Sequence, residues 1–154
     1  MSENKLFKLK HAAGTNNWEY FERRKKSEKY DAVRIMVCDR HDHQCKFCGY
    51  QGNDLEIINL DGDYKNNHIN NLAPACIFCT KPQFLDFYSL DYEGEDKMIY
   101  FPHLNQSELS SLYRGLFYNI AKGGDDAYNA KMIYSQLKDQ AIYLDEQLGV
   151  ELSH

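Results

Sequence analysis

Apolar and polar positions fall into short runs at the start of the chain and into helical register towards its end. Lys5-Leu-Phe-Lys-Leu-Lys10 and Asn17-Trp-Glu-Tyr-Phe21 predict two short strands, with a turn at Ala13-Gly-Thr-Asn16 between them. Residues 22–38 predict a helix, charged in its first half, with Tyr30, Val33, Ile35 and Val37 as its apolar candidates. Leu55-Glu-Ile-Ile-Asn-Leu60 predicts a strand, and Asp61-Gly-Asp63 a turn. A short helix is expected from about Cys76, carrying Phe78 and Phe84. Residues 91–96 predict an acidic loop, and Lys97-Met-Ile-Tyr-Phe101 a strand ended by Pro102. Ser107 and Glu108 open a helix in which Leu109, Leu112, Tyr113, Leu116, Phe117 and Ile120 share one face. Gly123-Gly124 stops it, and Asp125 or Asp126 caps a second helix with Ile133, Leu137, Ala141, Leu144 and Leu148 at helical spacing. So short a link predicts an antiparallel helical hairpin.

Charge narrows the function. The chain carries 18 Lys+Arg against 23 Asp+Glu, a net −5, with residues 1–48 at +4 and the remainder at −9. That balance argues against a general binder of phosphate backbones, which needs clustered cations. Arg23-Arg-Lys-Lys26 is the one candidate patch, and a solvated helix face is its simpler reading. No apolar stretch approaches the ~20 residues of a membrane span, and Met1-Ser-Glu-Asn-Lys5 lacks the apolar segment of a secretory signal. A cytoplasmic protein is expected.

Five cysteines give the clearest chemistry. Cys45/Cys48 and Cys76/Cys79 are two C-x2-C pairs with 27 residues between them. Two thiolates two residues apart grip one ion from a tight knuckle, and a second knuckle completes a tetrahedral all-sulfur site with no open position. This predicts one structural zinc ion held by Cys45, Cys48, Cys76 and Cys79. Such sites supply roughly 10–16 kcal/mol of apparent binding energy, so the fold is expected to depend on the metal. Cys38 stands apart and reads as a small buried hydrophobe. His41 and His43 flank the first knuckle and read as surface residues, because four sulfurs already satisfy zinc.

The stretch from residue 31 to 82 resembles an HNH (ββα-metal) nuclease module, on Arg40, Cys45-Lys-Phe-Cys-Gly49, Leu55 to Asp63, Asn66-Asn67, Asn71-Leu72, Cys76 and Cys79. The resemblance implies strand 55–60, the following turn and the helix after Asn71 as the ββα unit. It also exposes a loss. The general base and the metal ligand of an HNH nuclease close the first strand, where this chain has Ile58 and Asn59. Isoleucine ligates nothing, and an asparagine amide is no base near neutral pH. Thr80-Lys-Pro-Gln83 carries no histidine for the last position of the motif. A displaced constellation of Asp61, Asp63, His68 and Asn71 is the alternative reading, a metal-dependent endonuclease, though Asp-Gly-Asp before Asn-Asn is ordinary turn chemistry.

A wider resemblance takes in Cys45 to Gln51, Ile58 to Asn67, Cys76-Ile-Phe-Cys79, Met98-Ile-Tyr-Phe-Pro102 and Ser107 to Leu112. On these residues the chain resembles the IcmJ/DotN family of the type IVB (Dot/Icm) secretion apparatus. The resemblance implies a non-enzymatic cytosolic subunit of the coupling complex, with no nucleic-acid ligand and no membrane insertion. It implies as partner the C-terminal tail of the coupling ATPase, DotL, with small adaptor proteins, at the inner-membrane secretion complex. Twelve tyrosines among 21 aromatic residues suit such a scaffold, since tyrosine is favoured in interface cores. The run Phe84 to Tyr92 is rich enough in apolar area either to pack internally or to receive a partner.

The expected fold class is α+β, as a single domain over residues 1–154. Residues 1–30 supply N-terminal strands and the start of a helix, 31–90 a treble-clef, HNH-like zinc module, and 91–154 a strand plus helical hairpin.

Overall fold

A two-stranded antiparallel sheet organises the first part of the molecule. In the computed structural model, which describes residues 6–9, 14, 16–85 and 99–148, contacts group into two compact units, Met1–Phe87 and Tyr88–His154. The fold is mixed α+β, with five helices and one small sheet among the described residues.

Strand β1 (Glu56–Asn59) pairs with β2 (Leu72–Ala75), Glu56 opposite Ala75 and Asn59 opposite Leu72. The Leu60 N–H to Asn71 C=O bond continues the ladder, so Ile57–Pro74 and Asn59–Leu72 are its non-hydrogen-bonded pairs. Pro74 therefore costs no ladder bond. The outward carbonyls of both strands need other donors. Arg24 serves Ile57, Arg40 Nη2 serves Leu72 at 2.7 Å, and the Lys46 N–H serves Pro74 at 3.0 Å. The sheet is thus knitted to two helices and to the first knuckle through its edges.

Helix α1 (Asn17–Lys25) stands where a strand was expected over residues 17–21. Aromatic residues favour strands, but Trp18 and Phe21 are also three apart, on one helical face. Tertiary packing decides between the two. Phe84 is fully buried, with its ring 5.3 Å from Trp18 and 4.8 Å from both Phe21 and Tyr64. Each such ring contributes on the order of 2–3 kcal/mol by burial. The single helix expected over 22–38 is two, because residues 26–29 turn sharply, through Ser27 N–H to Arg24 C=O and Tyr30 N–H to Ser27 C=O. Helix α2 (Tyr30–Arg40) then buries Tyr30, Val37 and Cys38, while Ile35 faces out at 52 % exposure. The break lets α2 pack on the sheet while α1 turns Trp18 and Phe21 towards Phe84 and Tyr64.

Leu6–Leu9 form no strand either; Phe7 donates its N–H to Lys46 C=O at 2.6 Å, while Lys5 and Lys10 lie outside the described residues. After β2, the short helix α3 (Ile77–Thr80) passes into a 3-10 turn, Lys81–Gln83, so Phe84 follows the helix rather than riding on it.

The second unit contains helix α4 (Gln106–Lys122) packed against helix α5 (Asp125–Leu148). Asn105 caps α4 in a capping box with Glu108, two residues before the expected start at Ser107. Gly123 ends it at φ +78°, a conformation open to glycine at no steric cost. Leu116, Ala130 and Leu137 form the buried centre, with Leu112, Tyr113, Ile120 and Tyr134 against it. The inward face of α5 includes Ala127, Ala130, Leu137 and Ala141, and Ile133 is 42 % exposed, contrary to its expected place in the core. Small alanines there let the helix backbones approach closely. Ile99–Phe101 form no strand, although Ile99 and Phe101 pack on this core. Lys97, Met98, the acidic loop 91–96 and the side chains of Leu144 and Leu148 lie outside the described residues.

Candidate metal centre

The first knuckle grows from the end of α2. Gln44 bridges to Gln51, Cys45 N–H donates to Tyr50 C=O at 2.7 Å, and Gly49 takes φ +76° to close the loop under Cys45 C=O. The second knuckle is the N-terminus of α3. Cys76 is its N-cap residue, and its backbone C=O accepts the N–H groups of Cys79 and Thr80 at 2.9 Å each. Gln83 Nε2 then donates to Cys79 C=O at 3.0 Å.

These turns bring all four expected ligands together. The sulfurs of Cys45, Cys48, Cys76 and Cys79 lie within 4.8 Å of one another, and Cys48 and Cys76 are 3.7 Å apart. A tetrahedral zinc thiolate has sulfur–sulfur edges of about 3.8 Å, so the donor set fits a metal ion of that size. None of the five cysteines is in a disulfide. Cys45, Cys76 and Cys79 are buried and Cys48 is half-buried, so the cluster has one side near solvent.

Crowded thiols oppose one another. Cys45 is pushed up by Cys48 but pulled down further by Cys76 and Cys79, and settles at about 6. Cys48 is held far below the ordinary thiol range by hydrogen bonds from Cys45, Cys76 and Cys79. Cys76 and Cys79 are pushed up, chiefly by Cys45 and Cys48. A divalent cation takes the thiolate form, so its binding would release whatever protons the four sulfurs hold.

The displaced nuclease constellation does not converge in the same way. Among the described residues, the four cysteines are the group of three or more ligands that could hold a metal; Asp61, Asp63 and His68 do not form one. Asp61 is engaged with its own loop, accepting from Asn71 Nδ2 at 2.9 Å, Asn66 Nδ2 at 2.7 Å and Asp63 N–H at 2.9 Å. Asp63 accepts from Lys65 N–H at 3.0 Å. His68 is exposed, and its Nδ1 faces Asn70 N–H at 3.4 Å.

Asn59 is 1 % exposed and acts as the keystone of this loop. Its amide donates to Asp63 C=O at 2.9 Å and to Asn66 C=O at 2.7 Å, while Oδ1 accepts from Arg24 Nη1 at 2.5 Å. Arg24 also reaches Asn67 Oδ1 at 3.1 Å. Burial holds Arg24 below the ordinary arginine value, against the pull of Tyr64, Tyr30 and Glu56. Nothing in the sequence marks Arg24 off from the run Arg23-Arg-Lys-Lys26; only its three-residue offset from Phe21 hints that it turns inward. Lys25 is likewise committed, at 2.9 Å from Glu56. The run is therefore not a continuous cationic patch.

Cys38 is buried in α2, 2 % exposed, as a small hydrophobe would be, and burial pushes its thiol up. His43 pairs with Asp39 at 2.8 Å, and burial with neighbouring Arg40 lowers His41. Neither histidine belongs to the sulfur cluster. His103 stacks edge-on against Phe101 at 5.8 Å, and His11 lies outside the described residues.

Fold and site together define a small α+β protein whose two cysteine knuckles clasp the edge of a two-stranded sheet and whose strand-connecting loop is bonded to itself through Asn59 and Asn71. No protein-family model matches the sequence. Over 142 residues, 92% of the chain, it is 34% identical to the type 4 apparatus protein DotN of Legionella pneumophila. The match covers 66% of that protein, so the chain spans about two thirds of the length of this curated relative. The chain belongs to the DotN family. No helix among its described residues is long and apolar enough to cross a membrane.

Proposed function

We propose that the protein is a non-enzymatic subunit of a type IVB secretion coupling complex, folded around one structural zinc ion. It works in the cytoplasm, at the inner-membrane apparatus, by binding the C-terminal tail of a DotL-like coupling ATPase alongside small adaptor proteins. The observation that carries this reading is the relationship to an apparatus protein along 92% of the chain. The site supports it. Two strands followed by a helical turn, with sulfurs on both knuckles, suit an HNH-like ββα scaffold, yet the position of the catalytic base holds Asn59, and Asn59 is spent on loop closure. Zinc would be held by Cys45, Cys48, Cys76 and Cys79. With all four positions taken by sulfur it would supply folding energy rather than an activated water.

Calorimetry of the zinc-loaded protein with the tail peptide of the cognate ATPase tests the partner. Binding at 1:1, with supercoiled plasmid left intact in manganese, is the expected result. No binding, together with plasmid cleavage that His68→Ala abolishes, would replace this reading with the displaced nuclease.

A further inference from the structure

A second site lies away from the cysteines. A cleft of about 440 Å³ opens between α1, the start of α2 and the 64–67 loop, lined by Tyr20, Arg23, Lys29, Tyr30, Tyr64 and Lys65 among others. With Arg24, the lining carries four cations and no carboxylate, in a chain of net charge −5. Arg24 is spent on the sheet. The other three have no ion pair among the described residues. Arg23 lies 4.8 Å from the centre of the Tyr20 ring, and the Lys65 ammonium 5.2 Å from the same ring. Two cations are thus gathered around one aromatic ring in a lining without a carboxylate.

The backbone adds to the imbalance. Helix α2 starts at this cleft with Lys29 as its N-cap residue, and no side chain caps it. The lysine side chain offers no acceptor to the first-turn N–H groups, of which Tyr30 N–H already goes to Ser27 C=O, and it adds positive charge to the positive end of the helix dipole. The acidic residue of the first turn, Asp31, is 84% exposed and turned towards Arg34 at 3.8 Å. Below, Tyr64 is 2 % exposed and its hydroxyl has no hydrogen-bond partner among the described residues. Local rules broken together are found at functional or strained sites.

We propose that this cleft binds a phosphate monoester, its dianionic group among Arg23, Lys29 and Lys65 at the N-terminus of α2 and its body against the Tyr20 ring. Phosphate is favoured because the lining carries several cations and no carboxylate, and a monoester carries close to two charges at neutral pH. The volume falls in the range of about 300–1,000 Å³ typical of small-molecule sites.

The test is calorimetry on the full zinc-loaded chain, with adenosine 5′-monophosphate and inorganic phosphate as separate probes, sodium chloride holding ionic strength constant. The expected result is saturable 1:1 binding of the nucleotide. The Arg23→Ser/Lys65→Ser double variant should bind at least tenfold more weakly, and Lys131→Ser, on exposed α5 surface, should bind as the parent does. Equal binding of inorganic phosphate would support the phosphoryl site and restrict the ligand to that group. All three substituted residues are exposed, so the thermal transitions should coincide. Failure of both probes to saturate, or undiminished binding by the double variant, would overturn the proposal. So would salt-steep binding of duplex DNA by a protein that ignores both probes. None of these results depends on the secretion partner.

Discussion

Replacing Arg24 by methionine separates an internal arginine from a phosphate-binding one. Methionine keeps an apolar stem beside the rings of Phe21 and Tyr64, which lie 5.8 Å and 5.6 Å from the guanidinium carbon. It removes the head. Lost are the bonds to Asn59 Oδ1 at 2.5 Å, to Asn67 Oδ1 at 3.1 Å and to Ile57 C=O. The first and last serve partly buried acceptors, and a hydrogen bond to a charged group contributes about 1.5–3 kcal/mol. Releasing a half-buried cation returns part of that sum. A net loss of about 2–3 kcal/mol is expected. Urea unfolding followed by Trp18 fluorescence measures it well, because Trp18 is the sole tryptophan and packs on Phe21 and Phe84 within the same unit. Arg23→Met, at an exposed neighbour, should stay within ~0.5 kcal/mol of the parent. An Arg24→Met loss below ~0.5 kcal/mol would refute the assignment of Arg24 to the sheet edge.

Elemental analysis should find one zinc per chain, and Cys45→Ser should lose the metal with most of its cooperative unfolding; a normal melt without zinc would end the structural role. Phe84→Ala should cost about 3–5 kcal/mol, because its fully buried ring touches three others; a loss under ~1 kcal/mol would show that this cluster is not the core. Asn105→Ala should destabilise the α4–α5 hairpin by about 1 kcal/mol, read by far-UV circular dichroism during thermal unfolding. Asp61 feels a slight burial cost that raises its pKa, but hydrogen bonds from Asn71, Asn66 and the Asp63 N–H hold it below the ordinary carboxylate value. A lowered folded pKa means that this stabilisation is present above the unfolded value and disappears as pH falls through the folded one. Asp61→Asn, at a solvent-screened site, should therefore cost less than about 1 kcal/mol at pH 7, with the two stability curves converging as pH falls through the lowered folded value; a gap independent of pH would contradict it.

The elements written in local signals were legible in the chain itself. Two C-x2-C pairs named the four cysteines that cluster, because a knuckle is a property of five or six consecutive residues. Gly123-Gly124 and a long apolar stripe marked the helical hairpin, because caps and periodicity are local too. Tertiary structure decided what depends on residues far apart. Trp18 and Phe21 belong to a helix because Phe84 and Tyr64, more than 40 positions away, offer a buried face that outweighs strand propensity. Arg24 turns inward while Arg23 beside it stays out, because the Ile57 carbonyl and the Asn59 amide present acceptors that only the folded sheet edge creates. The cationic cleft likewise exists in no stretch of sequence. Tyr20, Arg23, Lys29 and Lys65 meet because the break at residues 26–29 folds α2 back beside α1 and opposite the 64–67 loop. Spacing along the chain specifies ligands and caps; which polar groups are left unpaired, and so what the surface can bind, follows from the packing.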